Sequence, residues 1–256
     1  MDSQYAAINE ETDLALAAQA IPASLKMMEG LLKEDPDNPN LLGKLAEGFC
    51  GYAFGFVEDD DPKRASSLYL RGRDYAEREL AATGGPEHSV GMNLAPFKES
   101  LKGLNADHRH SLYWMGQCWA SWLLLNLDNL QVFIVSPKVE AVMQKVLTLD
   151  ESYHFAGAHL FFGAYYGGRP KIVGGDVNKS KLHFEKALEI TQHKFLIAYI
   201  LYAKTYAVRT QDRLLFEKLL DQVIKAPVEL LPGQQLANSV ARRKAQKLLE
   251  STDDFF

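Results

Sequence analysis

Four segments of this chain place large side chains on one helical face around a single small residue. Phe155, His159, Phe162 and Tyr166 are spaced 4, 3 and 4, and forty residues later Phe195, Tyr199, Tyr202 and Tyr206 repeat that spacing. Gly163 and Ala203 hold the matching small position. Leu112, Met115 and Trp119 with Gly116, and Leu42, Leu45 and Phe49 with Ala46, fit the same template, so the small anchors lie 70, 47 and 40 residues apart. Steps of three and four belong to an α-helix. A small residue lets a second helix approach closely, and the large residue three later fills the groove beside it. A second amphipathic segment follows each first one, at about 63–80, 137–149, 177–191 and 212–225, with Phe184 and Ala187, then Met143 and Val146, again three apart. The pattern predicts four helix-turn-helix units and an all-α fold, since no run alternates as a half-buried strand would.

Proline, glycine and acidic residues mark the breaks. Asp35-Pro36-Asp37-Asn38 ends one helix and opens the next. Asp61 is expected to cap a helix beginning at Pro62, and Ser136-Pro137 to repeat that arrangement. Gly174-Gly175-Asp176 turns the chain and leaves Asp176 to accept from the exposed amides of the following helix. Thr83 to Asp107 is the least helical stretch and reads as a long excursion. The hairpins span about 24–80, 107–149, 153–191 and 194–226, with flanking helices at 2–20 and 234–250, in a single helical-repeat domain covering 1–256.

Composition narrows the function. Lys plus Arg number 28 against 33 Asp plus Glu, a net charge of −5, which argues against nucleic acid as partner. At 47% hydrophobic residues the 256-residue chain is no disordered segment. Cys50 and Cys118 are too few for a disulfide framework. They read as small buried hydrophobes, or as a bridge if the chain lives in an oxidising compartment. The start, MDSQYAAINEETD, lacks a basic region followed by an apolar run, so no signal peptide is expected in the chain as given. The most apolar stretch, Trp119 to Leu130, is interrupted by Asn126, Asp128 and Asn129 and is too short to span a bilayer.

No catalytic, metal or cofactor residue is expected. The histidines are His88, His108, His110, His154, His159, His183 and His193, with no HExxH among them. His154 and His159 are five apart, which does not put two ligands on one helical face. His108 and His110 sit at a helix start and read as surface groups. The stretch GGRPKIVGGD resembles a phosphate loop but lacks GK[ST], and an Asp cap would repel an anion. Glu58-Asp59-Asp60-Asp61 lacks the alternate spacing of a calcium loop. The sequon Asn178-Lys179-Ser180 falls inside a predicted helix, and no GxSxG occurs. The aromatics are the richer signal: LYWMGQCWASW, HFAGAHLFFGAYYGG and FLIAYILYAKTYAV hold more rings than a hairpin core requires. Such surplus suggests a pocket, against the plainer reading of a large aromatic core. Tyr165 beside Tyr166 favours the pocket, because adjacent residues on a helix cannot both face one partner.

The small-large spacing resembles the tetratricopeptide repeat, whose hairpins stack into a right-handed superhelix with a concave face that usually binds something. Four segments carry a further resemblance: IPASLKMMEGLLKEDPDNPNLLGKLAEGFCGYAFGFVE, SSLYLRGRDYAEREL, SLYWMGQCWASWLL and LDESYHFAGAHLFFGAYYGGRPKIVGGDVNKSKLHFEKALEI. Together, from about Pro22 to Ala226, they look like the T-component family of TRAP transporters, the GGD-to-FEKAL stretch after the tyrosine pair being the most specific part. That resemblance implies a periplasmic, often lipid-anchored protein of degenerate tetratricopeptide-like hairpins. The protein would associate with the extracytoplasmic solute-binding (P) component of the importer. It further implies a homotrimer whose protomers each carry a hydrophobic cavity or pore for a small hydrophobic or organic-acid ligand. A lipobox, which family members carry, is missing from this chain, so any membrane attachment would be through a lipid anchor absent from it. On this sequence the cavity is expected at Trp114, Trp119, His159, Phe162, Tyr165 and Tyr166, with Arg169 able to meet a carboxylate.

The alternative is a tetratricopeptide-type scaffold for proteins or peptides with no small-molecule role. Such scaffolds usually line their groove with Lys, Arg and Asn, and the aromatic inner positions argue mildly against one. An enzyme is disfavoured, because no nucleophile-base pair can be named.

Overall fold

A computed structural model describes residues 2–256. The described residues form helices and turns, with no strand among them. Their order is α1 (Asp2–Asn9), α2 (Leu14–Leu32), α3 (Pro39–Tyr52), α4 (Pro62–Ala82), α5 (Leu94–Ser100), α6 (Arg109–Leu125), α7 (Gln131–Leu149), α8 (Tyr153–Gly167), α9 (Val177–Ile190), α10 (Ile197–Leu201), α11 (Val208–Thr210), α12 (Arg213–Lys225) and α13 (Gln235–Glu250). Ala53–Val57 continues α3 as a π-helical turn, and Tyr202–Ala207 joins α10 to α11 in the same way. No helix is long and apolar enough to cross a membrane among the described residues.

The breaks follow local chemistry. The Asn38 side chain accepts from Leu41 N–H ahead of Pro39, Asp61 accepts from Arg64 N–H ahead of Pro62, and Asp176 accepts from Asn178 and Lys179 N–H. Ser136-Pro137 does not behave so. α7 begins at Gln131, with Asn129 accepting from its N–H, and Pro137 lies inside the helix. The donor that Pro137 lacks would have served the carbonyl of Phe133, and Phe133 is exposed, so water can take its place. The helix expected over 2–20 is two: Glu11 accepts from Thr12 and Asp13 N–H, and Asp13 accepts from Ala15 and Leu16 N–H, which ends α1 and caps α2. The excursion over 83–107 holds a helix of its own, α5, whose Phe97 is fully buried.

The chain divides into two compact units. In the unit spanning Ala18–Glu151, α3 and α4 pair antiparallel and α6 lies against both. A Cβ on Gly72 of α4 would sit 3.0 Å from the Ala46 carbonyl oxygen of α3 and 2.8 Å from Cys118 Sγ of α6, so glycine sets how closely these helices meet. Across the same contact Cys50 and Cys118 form a disulfide, with their Cα atoms 5.5 Å apart. Gly116 of α6 faces Met143 and Val142 of α7 in the same close manner. Glu29 of α2, almost fully buried, accepts from Lys26 (2.6 Å), Tyr75 (2.6 Å) and Arg71, which ties α2 to α4.

The other unit runs from Ser152 to Phe256 and includes the chain up to Ala17. α8 and α9 pair antiparallel: a Cβ on Gly163 would meet the Phe184 ring at 2.9 Å, and Ser180 Oγ donates to the Gly163 carbonyl at 2.7 Å. Phe184 in turn stacks on Tyr202, with centroids 4.8 Å apart, so the π-helical turn packs on the hairpin. Asn238 of α13, fully buried, accepts from Leu196 N–H and donates to the Val228 carbonyl, which holds α13 against the start of α10. Phe216, Leu220, Val223 and Ala241 complete this core. Each such large apolar side chain contributes about 1.5–3 kcal/mol on burial.

Candidate functional site

α8 carries apolar residues on every face, which suits a helix enclosed by its neighbours. Its small residues take the α9 contact: Gly163 opposes Phe184, and a Cβ on Gly167 would lie 2.6 Å from Ser180 Oγ. With that side occupied by backbone, the rings of α8 gather along its flank. Phe162, Tyr166 and His183 form a three-membered, nearly parallel group, with centroids 5.3–5.9 Å apart and interplanar angles of 24–28°. Tyr165 stands perpendicular to Tyr166 at 5.5 Å, as the divergence of adjacent helical positions requires.

Charge sits at the edge of this group. The Arg169 guanidinium lies over the Tyr165 ring at 3.6 Å, and the Lys179 ammonium is 5.2 Å from the Tyr166 centroid. Inside it, His159 and His183 bring their Nδ1 atoms to 2.9 Å, so one ring donates and the other accepts. Burial holds the His183 imidazole down to about 4, with His159 and Lys179 adding to the effect, and the ring is therefore neutral at neutral pH. The surface so built is aromatic, internally hydrogen-bonded and cationic at its rim.

Of the residues expected to line a cavity, His159, Phe162, Tyr165, Tyr166 and Arg169 come together here. Trp114 and Trp119 lie on α6 in the Ala18–Glu151 unit. There Trp119 is fully buried, edge-on to Phe97 at 6.4 Å, with Arg73 5.5 Å and Lys138 5.9 Å from its ring. Trp114 packs against Tyr113 at 5.0 Å. His183, Lys179 and Phe161 belong to the cluster and do not stand out in the sequence. The available signal is the four-residue step between Lys179 and His183, which sets both on one face of α9.

Two histidines differ from expectation. His108 is buried: its ring accepts from Asn105 N–H while the Asn105 side chain accepts from Asp107 N–H, so its polarity serves a reciprocal cap. His110 is held between two carboxylates, with Nδ1 2.8 Å from Glu79 and Nε2 3.8 Å from Glu47. The surface reading misses both because their partners come from the turn geometry and from other helices. Among the described residues no group of three or more His, Cys, Asp or Glu converges where it could hold a metal ion.

A model of the TRAP transporter T-component family matches residues 10–256. A protein of Treponema pallidum (strain Nichols), described as uncharacterized, is 25% identical over 264 residues, covering 96% of this chain and 81% of that protein. The family match extends over both compact units, including the aromatic hairpin of α8 and α9. The chain therefore belongs to the TRAP transporter T-component family.

Proposed function

We propose that this protein is a non-enzymatic accessory component of a TRAP-type importer that binds the extracytoplasmic solute-binding component and offers a hydrophobic cavity to a small ligand. Family membership supports the accessory role. The observation that carries the ligand reading is the α8–α9 aromatic cluster, with three parallel rings inside and Arg169 and Lys179 at its edge. Aromatic faces suit an apolar skeleton, and the two cations suit the carboxylate of an organic acid. Lining residues on this reading are His159, Phe162, Tyr165, Tyr166 and Arg169.

The work is done in the periplasm, a location the Cys50–Cys118 bridge supports, because such bonds persist in oxidising compartments. The hairpins continue a tetratricopeptide-like superhelix, and the protein assembles as a homotrimer. Leu124, Leu127, Leu130, Phe133 and Ile134 supply exposed apolar surface for that assembly. The test is Tyr166→Ala, read against an apolar probe dye and against thermal stability. Loss of dye affinity with little loss of stability supports the ligand site. Loss of stability with dye binding retained makes the ring a core residue and favours the protein-binding scaffold.

A further inference from the structure

The spacing from Phe155 through His159 and Phe162 to Tyr166 sets all four rings on one face of a continuous right-handed helix. Phe155 does not keep to that face. The chain enters α8 through three consecutive left-handed residues, His154 (φ +45°), Phe155 (φ +58°) and Ala156 (φ +58°). The Phe155 ring stacks instead on Phe195, just before α10, with centroids 4.7 Å apart and planes 20° from parallel.

Left-handed backbone presses Cβ against the following carbonyl oxygen, a cost that only glycine escapes, and none of the three is glycine. Gln192 and His193 also have positive φ, but they close α9 in a common way, His193 N–H donating to the Leu188 carbonyl at 2.9 Å. A helix start makes no such demand, since its cap sits in the extended region. Packing holds the α8 turn in place. Ala156 N–H donates to the Ser152 carbonyl at 3.1 Å, Ala156 is fully buried, and Phe195 is buried under the Phe155 ring. Strain of this kind persists only where the surroundings over-determine it, and it collects at ligand clamps and switches.

We propose that the 154–156 turn is a two-state element and that Phe155 is a further ring of the ligand surface, brought to it when the turn reverses. In the second state His154, Phe155 and Ala156 turn right-handed and join α8. Phe155 then lies four residues ahead of His159 on the ring face, which lengthens that surface by about 6 Å. Reversal gives up the Phe155–Phe195 stack and relieves three strained residues. The two effects oppose each other, and a ligand that touches Phe155 only in the second state shifts the balance towards it. The inference rests on the ligand reading above and adds a residue and a control to that site.

Binding of anilinonaphthalene sulfonate, an apolar anionic dye, to the full chain tests the proposal. His154→Ala and His154→Gly both remove the imidazole, so the difference between them reports the backbone alone. Glycine favours the left-handed turn and weakens a right-handed helix, so His154→Gly should bind the dye about tenfold more weakly than His154→Ala. It should also melt at the higher temperature, the reverse of their order in an ordinary helix. Phe195→Leu removes the stack and should bind the dye more tightly than the natural chain. In the natural chain, saturating dye should abolish the nuclear Overhauser contact between the Phe155 and Phe195 rings. Equal affinity of the two His154 variants, a lower melting temperature for the glycine one, or a ring contact that survives saturation would each overturn the switch and leave the ligand site standing. Failure of the natural chain to bind the dye would remove both.

Discussion

His110 of α6 lies with Nδ1 2.8 Å from the Glu79 carboxylate of α4. Glu47 of α3 approaches the other side of the ring, so one imidazole joins three helices of the Ala18–Glu151 unit.

Stability of that unit should fall at alkaline pH. Burial disfavours the charged ring, but the hydrogen bonds it donates to Glu47 and Glu79 and the negative charge of those carboxylates outweigh it and lift the imidazole to about 9. Its unfolded value is about 6.5. The contribution is therefore complete below about pH 6.5 and lost as pH rises through 9. A third of the side chain is exposed, so screening leaves on the order of 1–2 kcal/mol. Urea midpoints at pH 6 and pH 10 measure it, and His110→Gln should flatten the difference. An unchanged slope in the variant would assign the effect elsewhere.

His183 should behave in the opposite sense. Burial first, then His159 and Lys179, holds it down to about 4. A depressed folded value means stability present above about pH 6.5 and lost as pH falls towards 4. Nitrogen-15 NMR of the side chain should show a neutral ring at pH 6. An imidazolium spectrum at that pH would refute it.

Reduction should separate a bonded from an unbonded Cys50–Cys118 pair. Their Cα separation of 5.5 Å lies in the range for a bridge, so intact mass should be about 2 Da below that of the dithiol. A bond closing 68 residues adds about 4 kcal/mol in the chain-entropy view. Cys118→Ala should lower the denaturation midpoint accordingly. Full reaction of the folded, unreduced protein with a thiol reagent would exclude the bridge.

Two glycines should differ in tolerance. A Cβ at Gly163 meets the Phe184 ring at 2.9 Å, and that ring is fully buried. A Cβ at Gly116 meets Met143 Sδ at 2.5 Å and Val142 Cγ1 at 3.1 Å, both fully buried, but an unbranched thioether has more rotamers in which to yield than a ring has. Gly163→Ala should therefore lose about 1–3 kcal/mol, and Gly116→Ala less, in denaturant titrations. Equal losses would mean that the partner side chain does not set the tolerance.

Most of the helical fold is legible in residue spacing and capping. Gly163 and Phe184 stand out separately in the sequence, as the small and large residues of paired helices, and in the fold they meet. The same reading fails at Pro137, because α7 already begins at Gln131, whose N–H donates to the Asn129 side chain, and runs on through the proline. Five of the seven residues expected at the site gather on one hairpin. Trp114 and Trp119 carry the same aromatic signal from α6, and spacing alone cannot tell a ring that lines a surface from one that fills a core.

The sequence by itself determined most of the helices, several of their caps and their small faces, because helical period and capping act over four residues or fewer. The tertiary structure decided which distant groups meet: His159 with His183 across 24 residues, His110 with Glu79 across 31, Cys50 with Cys118 across 68. Those meetings depend on the register of one helix against another, which is fixed by how whole faces pack together. A residue's own neighbours in the chain carry no record of it.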